Sequence, residues 1–174
     1  MVVQYAKVWL GYLEHDSRQL LGVYRANAGK GGYTVFAQMI AQAYPWRDFS
    51  GLPWCAVFVH AVYLAALGKR EAARLLGKPH PGSRVLARRM RRKKRWRGHD
   101  YIPEPGDIIF LRSTALGQIG HCGIVARVEG GMVETIEGNT VDPSGVFDRS
   151  LGGAVAMRER KLTDPAIAGY GWMR

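Results

Sequence analysis

The sequence has little cysteine and no long hydrophobic run. Two cysteines in 174 residues are too few for the disulfide framework of a small secreted domain. The longest apolar run, Cys55 to Leu67, has 13 residues and includes a histidine, whereas a helix that spans a bilayer needs about 20. The first 16 residues lack the basic start, apolar stretch and small-residue cleavage site of a signal peptide. We therefore expect synthesis in the cytoplasm, with no membrane span.

Acidic residues are missing from one strongly basic segment. The net charge is +11, and nine of the 25 basic residues lie within residues 84–97, which contain no acid. The rest of the chain has 16 basic and 14 acidic residues, so it is nearly neutral. Such a segment favours a partner that carries phosphates, such as a nucleic acid, a lipid surface or an anionic wall polymer. It is equally compatible with a solvated surface helix held down by Val85, Leu86 and Met90.

The order of the predicted elements indicates the fold class. The chain is 47% hydrophobic and 22% charged, which is typical of a globular protein of one-domain size. Helical spacing and breaker residues predict helices over residues 2–14, 17–26, 33–43, 53–68, 70–76 and from Ser83 through the basic run. Alternation predicts strands at 107–112, 121–128, 132–139, near Val146 and at 155–160. Helices followed by an antiparallel sheet predict an α+β fold.

Cys55 is placed where a reactive cysteine would be expected. It falls in or next to the first turn of the helix predicted over 53–68, where free backbone N–H groups and the helix dipole favour the thiolate. By residue type alone, a small buried hydrophobic residue is the simpler interpretation. Residues in the second half of the chain favour the other interpretation, that Cys55 is a reactive cysteine.

His121, Glu137 and Asn139 lie on two neighbouring predicted strands, and the register decides whether they meet. Side chains alternate along a strand, so Cys122 faces away from His121. A three-residue loop at 129–131 would set His121 opposite Asn139 and Glu137 opposite Gly123, with both side chains on the His121 face. A two-residue turn alone would move Glu137 and Asn139 to the other face. A site built from these residues therefore requires an odd-length loop or a β-bulge.

Four motifs in order resemble a known family. They are PWCAVFV at 53–59, PGDIIFL at 105–111, GHCGIV at 120–125 and TIEGNT at 135–140. Together they resemble the cysteine, histidine-dependent amidohydrolase/peptidase (CHAP) family over residues 45–172, and the N-terminal helices resemble a variant found in phage and prophage lysins. The resemblance implies a papain-like α+β fold in which the nucleophile helix packs on an antiparallel sheet. It also implies one domain over 1–174, with a helical part at 1–44 and a catalytic core at 45–174.

The resemblance also implies roles for individual residues. Cys55 matches the nucleophile, His121 the base, Glu137 the residue that orients the imidazole, and Asn139 the accompanying polar residue. Trp54 stands where many relatives carry a glutamine that donates to the oxyanion. We expect Trp54 and Trp46 to line the substrate groove, and Cys122 to be a core residue. No calcium loop of closely spaced aspartates is present, so no metal or other cofactor is expected.

The implied activity is hydrolysis of an amide bond in bacterial peptidoglycan, which would lyse the cell wall. The enzyme would be an N-acetylmuramoyl-L-alanine amidase or an endopeptidase of the stem peptide or cross-bridge, acting after release as a lysin or from a virion. We expect a monomer without a stable nucleic-acid complex, and anionic wall polymers bound by Arg91, Arg92, Lys93 and Lys94. The alternatives are a nucleic-acid or envelope-binding module driven by residues 84–97 with an inert protease-like body, and an acyltransferase using the same cysteine and histidine.

Overall fold

A six-stranded antiparallel sheet with helices packed on one face positions the candidate site. The structure is a computed structural model that describes residues 1–21, 31–113, 117–141 and 152–174. In these ranges the helices are α1 (Val2–Lys7), α2 (Val35–Ala43), α3 (Cys55–Leu76) and α4 (Ser83–Arg92), with a 3₁₀ turn at Arg18–Leu20. The strands are β1 (Trp96–Arg97), β2 (Ile108–Arg112), β3 (Ile119–Glu129), β4 (Met132–Thr140), β5 (Ala154–Lys161) and β6 (Ile167–Gly171). The sheet order is β1-β6-β2-β3-β4-β5.

The main core lies between α3 and the sheet. Every residue from Cys55 to Tyr63 is buried, because apolar side chains occur all around this part of the helix. They pack against the inward faces of the strands, including Phe110, Ile124 and Ile136. A smaller cluster around Val125 and Tyr170 covers the other face of the sheet. The predicted α+β class, with the Cys55 helix packed on an antiparallel sheet, is confirmed.

The predicted helix over 53–68 is nearly correct in its bounds. The helix begins at Cys55, with Trp54 as the N-cap residue, and Gly68 takes a φ of 78°. That left-handed conformation suits glycine and breaks the helix. A short helical piece continues from there to Leu76. Within the described ranges, no helix combines the length and apolar character that crossing a bilayer would require.

The predicted helix over 2–14 is wrong after Lys7. Gly11 has a φ of 84°, which ends helical geometry. Its N–H donates to the Val155 carbonyl, and the Val155 N–H donates to the Tyr12 carbonyl. Residues 11–13 therefore lie along β5, because hydrogen bonds to the sheet replace those of a helix. The predicted helix over 17–26 is a 3₁₀ turn at its start; its remainder from residue 22, like the predicted strand near Val146, lies outside the described residues.

The basic run is helical only in its first part. The helix α4 ends at Arg92, and Lys94 has a left-handed φ of 58°. Trp96 and Arg97 then form β1 and pair with β6. The prediction of one helix through residue 97 is wrong because the Trp96 ring packs against Phe110, at 5.4 Å between ring centroids, and this contact draws the chain onto the sheet.

The register between β3 and β4 depends on a bulge. Glu129 pairs with Met132, so the turn is the two-residue Gly130-Gly131, and of the two alternatives, an odd-length loop or a bulge, the loop is not the one used. A register shift between Val125 and Arg127 then restores the other frame, in which Ile124 pairs with Ile136. The required bulge is therefore confirmed. Continued one position further, this register puts Glu137 opposite Gly123. Beyond Glu137 the strand is irregular, since Asn139 has a φ of 56° and the pairing with β5 shifts between Glu137 and Thr140.

Candidate active site

Cys55 is the first residue of α3, and its helix begins directly on the end of β4. The Phe58 N–H donates to the Trp54 carbonyl at 2.8 Å and closes the first turn. A Cβ at Gly138 would come within 2.6 Å of Phe58 and 2.7 Å of Trp54, so only glycine allows this close approach. Cys55 is only 4% exposed. Its thiol therefore lies at the positive end of the helix dipole with little contact with water.

His121 reaches the same place from β3 and is held by Glu137 on β4. The imidazole Nε2 lies 2.9 Å from Glu137 Oε2. A Cβ at Gly123 would lie 2.5 Å from the Glu137 side chain, so the glycine makes room for the carboxylate on this face. The Glu137 side chain is fully buried, whereas that of His121 keeps 24% exposure. With Nε2 facing Glu137, Nδ1 is the ring nitrogen left for Cys55.

Glu137 is itself held by two residues that the sequence did not indicate. Arg160 Nη1 donates to Glu137 Oε1 at 2.5 Å and its Nη2 to Oε2 at 3.3 Å. The Thr135 hydroxyl donates to Oε1 at 2.6 Å. Burial alone would raise the pKa of Glu137, but His121, Arg160 and Thr135 outweigh it and lower the pKa to about 2. The carboxylate is thus fixed in place and stays ionised.

Neighbouring side chains shift the pKa of Cys55. The interaction with Cys122 lowers it most, burial opposes this, and the interaction with His121 adds to the lowering, so the pKa lies well below its usual range. Burial disfavours a charged His121 ring, but Cys55 and Glu137 outweigh this and raise its pKa to about 10. A thiol with a lowered pKa beside an imidazole with a raised pKa favours a thiolate–imidazolium pair. Such a pair has the chemistry of a nucleophile and a proton donor.

Comparison with known families agrees with this geometry. A model of the CHAP domain matches residues 47–139, which is more than half of the chain. The chain belongs to the CHAP domain family. A comparison with curated proteins finds no match.

Two solved structures resemble this CHAP chain over 97% of its length. The endolysin LysIME-EF1 is 13% identical, with a TM-score of 0.48, and the chain covers 61% of it. Ly7917, solved with the hydrolyzing product of MDP, is 10% identical, with a TM-score of 0.50, and the chain covers 60% of it. The chain thus spans about three fifths of the length of each protein. At 10% identity, the likeness to Ly7917 shows the fold alone.

A cleft next to the start of α3 is lined in part by Asn139 and Trp54. Its volume is about 230 Å³, and it is lined by Glu14, Gly31, Gly32, Gly51, Leu52, Pro53, Trp54 and Asn139. Only an edge of Trp54 reaches this cleft, because its side chain is 1% exposed and its ring stacks on Phe36 at 5.5 Å. The Trp54 indole N–H donates to Glu14 at 2.5 Å. Glu14, which the sequence did not indicate, therefore occupies the only donor of the Trp54 side chain.

The other predicted site residues are not among those that line this cleft. Trp46 is 68% exposed, and its ring lies against Tyr44 and Lys69, away from the residues that line the cleft. The wall-binding candidates Arg91, Arg92, Lys93 and Lys94 are exposed near the end of α4. In the part of the chain that the structure describes, no three His, Cys, Asp or Glu side chains cluster as metal ligands.

Proposed function

We propose that this CHAP domain is a peptidoglycan hydrolase that cleaves an amide bond with Cys55 as the nucleophile. The observation that carries the proposal is the 2.9 Å contact between His121 and the fully buried Glu137, together with a cysteine at the start of a buried helix whose pKa is shifted by His121. The lowered pKa of Cys55 and the raised pKa of His121 are what such chemistry needs. Neither an inert body nor a simple binding module requires this arrangement.

In the proposed reaction, the Cys55 thiolate attacks the amide carbonyl carbon and forms a tetrahedral oxyanion. His121 donates its proton to the leaving amine, and a thioester with Cys55 remains. His121 then accepts a proton from water, and the resulting hydroxide attacks the thioester carbonyl. Collapse of this intermediate releases the carboxylic acid product, which ionises in solvent, and restores the Cys55 thiolate and the His121 imidazolium. Glu137 keeps the ring oriented and balances its charge throughout.

The oxyanion donor is proposed to be the Cys55 backbone N–H together with a second group. The first N–H groups of a helix have no partner within the helix, and Cys55 is the first residue of α3. The Trp54 indole is unsuitable because it already donates to Glu14. A backbone donor of this kind stabilises the charge that develops in the transition state.

We propose that residues 1–44 and 45–174 act as one catalytic unit. From the N-terminal part, Glu14 accepts the hydrogen bond of the Trp54 indole, and Phe36 stacks on the same ring at 5.5 Å, next to Cys55. Ala6 and Tyr12 belong to the same core as α3. The N-terminal part thus supports the wall of the cleft directly.

The bond that is cut can be identified from the products. We expect digestion of purified peptidoglycan to release fragments with one new amino end and one new carboxyl end, as amide hydrolysis requires. Mass spectrometry distinguishes an amidase, which frees the lactyl carboxyl group of muramic acid, from an endopeptidase, which opens a stem peptide or cross-bridge. Fragments with new reducing sugar ends and intact peptides would reject the proposal, and a transferred acyl group would indicate an acyltransferase. Cell-wall lysis after release or from a virion is the setting that this activity fits.

We further propose that the exposed basic face of α4 holds anionic wall polymers. Arg91 stacks 3.9 Å over the Trp96 ring and Lys93 donates to the Arg74 carbonyl at 2.8 Å, so both also support local packing. Arg88 and Arg92 are exposed on the same helix. They are therefore the better pair for a test of charge.

The double variant Arg88→Gln, Arg92→Gln is expected to bind insoluble cell walls about 30-fold more weakly at low salt, because about 1 kcal/mol of attraction is lost for each of the two charges. Turnover of a small soluble substrate should be unchanged. Co-sedimentation with cell walls measures the binding, and Lys7→Gln with Lys161→Gln, both exposed elsewhere, is the charge-matched control. Equal loss in both double variants would indicate net charge alone, and no loss in either would reject the binding face.

A further inference from the structure

A cavity of about 310 Å³ lies at the end of α3 that is opposite to Cys55, where α4 also ends. It is lined by Gly77, Arg89, Arg92 and Lys93. Three of these residues are cations, and no carboxylate is among them. In the described ranges of the chain, none of the three cations forms a salt bridge. The cavity therefore concentrates positive charge that no acidic side chain of those ranges pairs.

The two helix ends hold these cations in place. A spacing of three and four residues along α4 puts Arg92 and Lys93 next to Arg89. Gly77 ends α3 with a φ of 79°, and a Cβ there would come within 3.3 Å of the Arg89 side chain. Arg89 donates to the Lys78 carbonyl, and Lys93 Nζ donates to the Arg74 carbonyl at 2.8 Å. Each of these bonds uses one donor, so both side chains keep further N–H groups for a ligand.

The helix ends balance only part of this charge. Two helix C-termini contribute about half a negative elementary charge each, whereas three cations line the cavity. Further positive groups lie close by. The pKa of Arg89 is lowered by burial and by the charges of Arg47 and Arg92, and the pKa of His60 is lowered to about 3 by burial and by the charges of Arg89 and His80. A bound anion would relieve this repulsion.

We propose that this cavity binds a phosphate group, and that its occupant is a phosphodiester of an anionic wall polymer. The proposal rests on the wall binding proposed above for α4 and names the group that is recognised. It adds Arg89 and the end of α3, which the charge pattern of the sequence did not indicate. The planar fork of a guanidinium matches two phosphate oxygens, and an ammonium adds a mobile point charge. Arg92 and Lys93 are exposed, so a phosphate within a chain can reach the cavity.

Arg88 and Arg92 form a matched pair for testing the cavity. Both are exposed arginines on α4, but only Arg92 lines the cavity. Arg92→Gln removes a lining cation, whereas Arg88→Gln removes the same charge from the same helix outside the cavity. Arg92→Lys keeps the charge and loses the fork. A difference between the first two variants therefore reports the position of the charge rather than its amount.

The experiment is a calorimetric titration of the whole chain with a short glycerol-phosphate oligomer and, separately, with inorganic phosphate. It is carried out at about 0.15 M salt, where exposed charges more than about 8 Å apart are largely screened. We expect the oligomer to bind about tenfold more weakly to Arg92→Gln, the size expected for losing one charged hydrogen bond. Arg88→Gln should stay within roughly twofold of the parent protein because of screening, and Arg92→Lys should lie between the two.

Equal weakening in Arg88→Gln and Arg92→Gln, or no binding of the oligomer by the parent protein, would overturn the proposal. Inorganic phosphate that binds as tightly as the oligomer would overturn the polymer as the occupant and assign the cavity to free phosphate. The titration needs no cell wall. Oligomer binding through Arg92 without co-sedimentation with walls would reject wall binding and keep the phosphate site, and co-sedimentation without a difference between Arg88→Gln and Arg92→Gln would do the reverse.

Discussion

Replacing Cys55 with alanine is expected to lower the release of peptidoglycan fragments by at least about 10⁴-fold. The substitution removes the only atom that can form the thioester, and His121 and Glu137 cannot replace it. The fold should be retained, because the change removes one buried sulfur atom from the start of α3 without adding volume. The clearing rate of a cell-wall suspension measures the activity, and circular dichroism with thermal unfolding measures the fold.

Cys55→Ser is the matched variant, because it keeps a side chain of nearly the same shape. A serine hydroxyl has a far higher pKa than a thiol, so it gains little from an imidazolium partner, and this variant should also be inactive. Lysis retained by Cys55→Ala would contradict covalent catalysis by this residue. Lysis lost only together with the thermal transition would show a folding defect instead.

The part of the site that the sequence could predict depends on local signals. Pro53 lies two residues before Cys55, and Cys55 begins an apolar stretch that Gly68 ends, so the helix bounds and the place of the thiol can be deduced together. His121 and Cys122 could be assigned to opposite faces of a strand because alternation needs no knowledge of the partner strand. These inferences require only neighbouring residues.

The register between β3 and β4 could not be predicted from the local sequence alone. The bulge near Ala126 adds the one residue by which the two-glycine turn is shorter than a three-residue loop. Beyond the bulge, the two strands therefore pair in the same register that a three-residue loop would give. Turn chemistry could not separate these cases, since Gly130 and Gly131 fit both. Only the requirement that Glu137 and His121 share a face indicated that one irregularity was needed.

The residues that hold Glu137 and Trp54 in place could not be predicted from the sequence, because they come from distant segments of the chain. Arg160 reaches Glu137 from β5, after a connection whose length does not fix the strand register. Glu14 reaches Trp54 across 40 positions of the chain. Contacts of this kind depend on how whole elements pack, and no periodicity records them.

Competition between local helix propensity and packing against the sheet explains the wrong helix predictions outside the site. Residues 8–13 have helical spacing, but Gly11 permits a turn, and the backbone then bonds to β5. Burial against a sheet outweighs a modest helix propensity. At the end of the basic run, the packing of Trp96 on Phe110 has the same effect.

Replacing Glu137 with glutamine is expected to lower kcat/KM by about 10³–10⁴-fold, the range found when a carboxylate that orients a catalytic histidine is neutralised. Glutamine keeps the shape but can present an N–H₂ group to His121, which disfavours the productive ring orientation. The pH range in which the variant is active should also become narrower, at both its acidic and its alkaline limit. The pKa of His121 falls because it loses an anionic partner, and the pKa of Cys55 rises because the imidazolium is less stable. Initial rates on a soluble substrate between acidic and alkaline pH measure both limbs.

Arg160→Gln is the control that separates orientation of His121 from stability. It leaves the Glu137 to His121 contact of 2.9 Å in place but removes a guanidinium that bonds a fully buried carboxylate. We expect a loss of about 1–3 kcal/mol in the free energy of unfolding, because Arg160 keeps 16% side-chain exposure and solvent screens part of the pair. The activity loss should be smaller than in Glu137→Gln. Equal activity losses in the two variants, or an unchanged pH profile in Glu137→Gln, would contradict the orienting role.

The dependence of the free energy of unfolding on pH, at acidic pH, provides an independent test of the role of Glu137. Its folded-state pKa is lowered to about 2 from an ordinary value of 4.5. The unfolded chain therefore binds the proton first, and the stabilisation by this carboxylate is complete above pH 4.5 and is lost as the pH falls through about 2. Glu137→Gln cannot titrate, so its urea unfolding curves should depend less on pH in that window than those of the parent protein. An identical dependence in both proteins would mean that the carboxylate is not held by His121 and Arg160 in solution, and the proposed chain of contacts to Cys55 would lose its anchor.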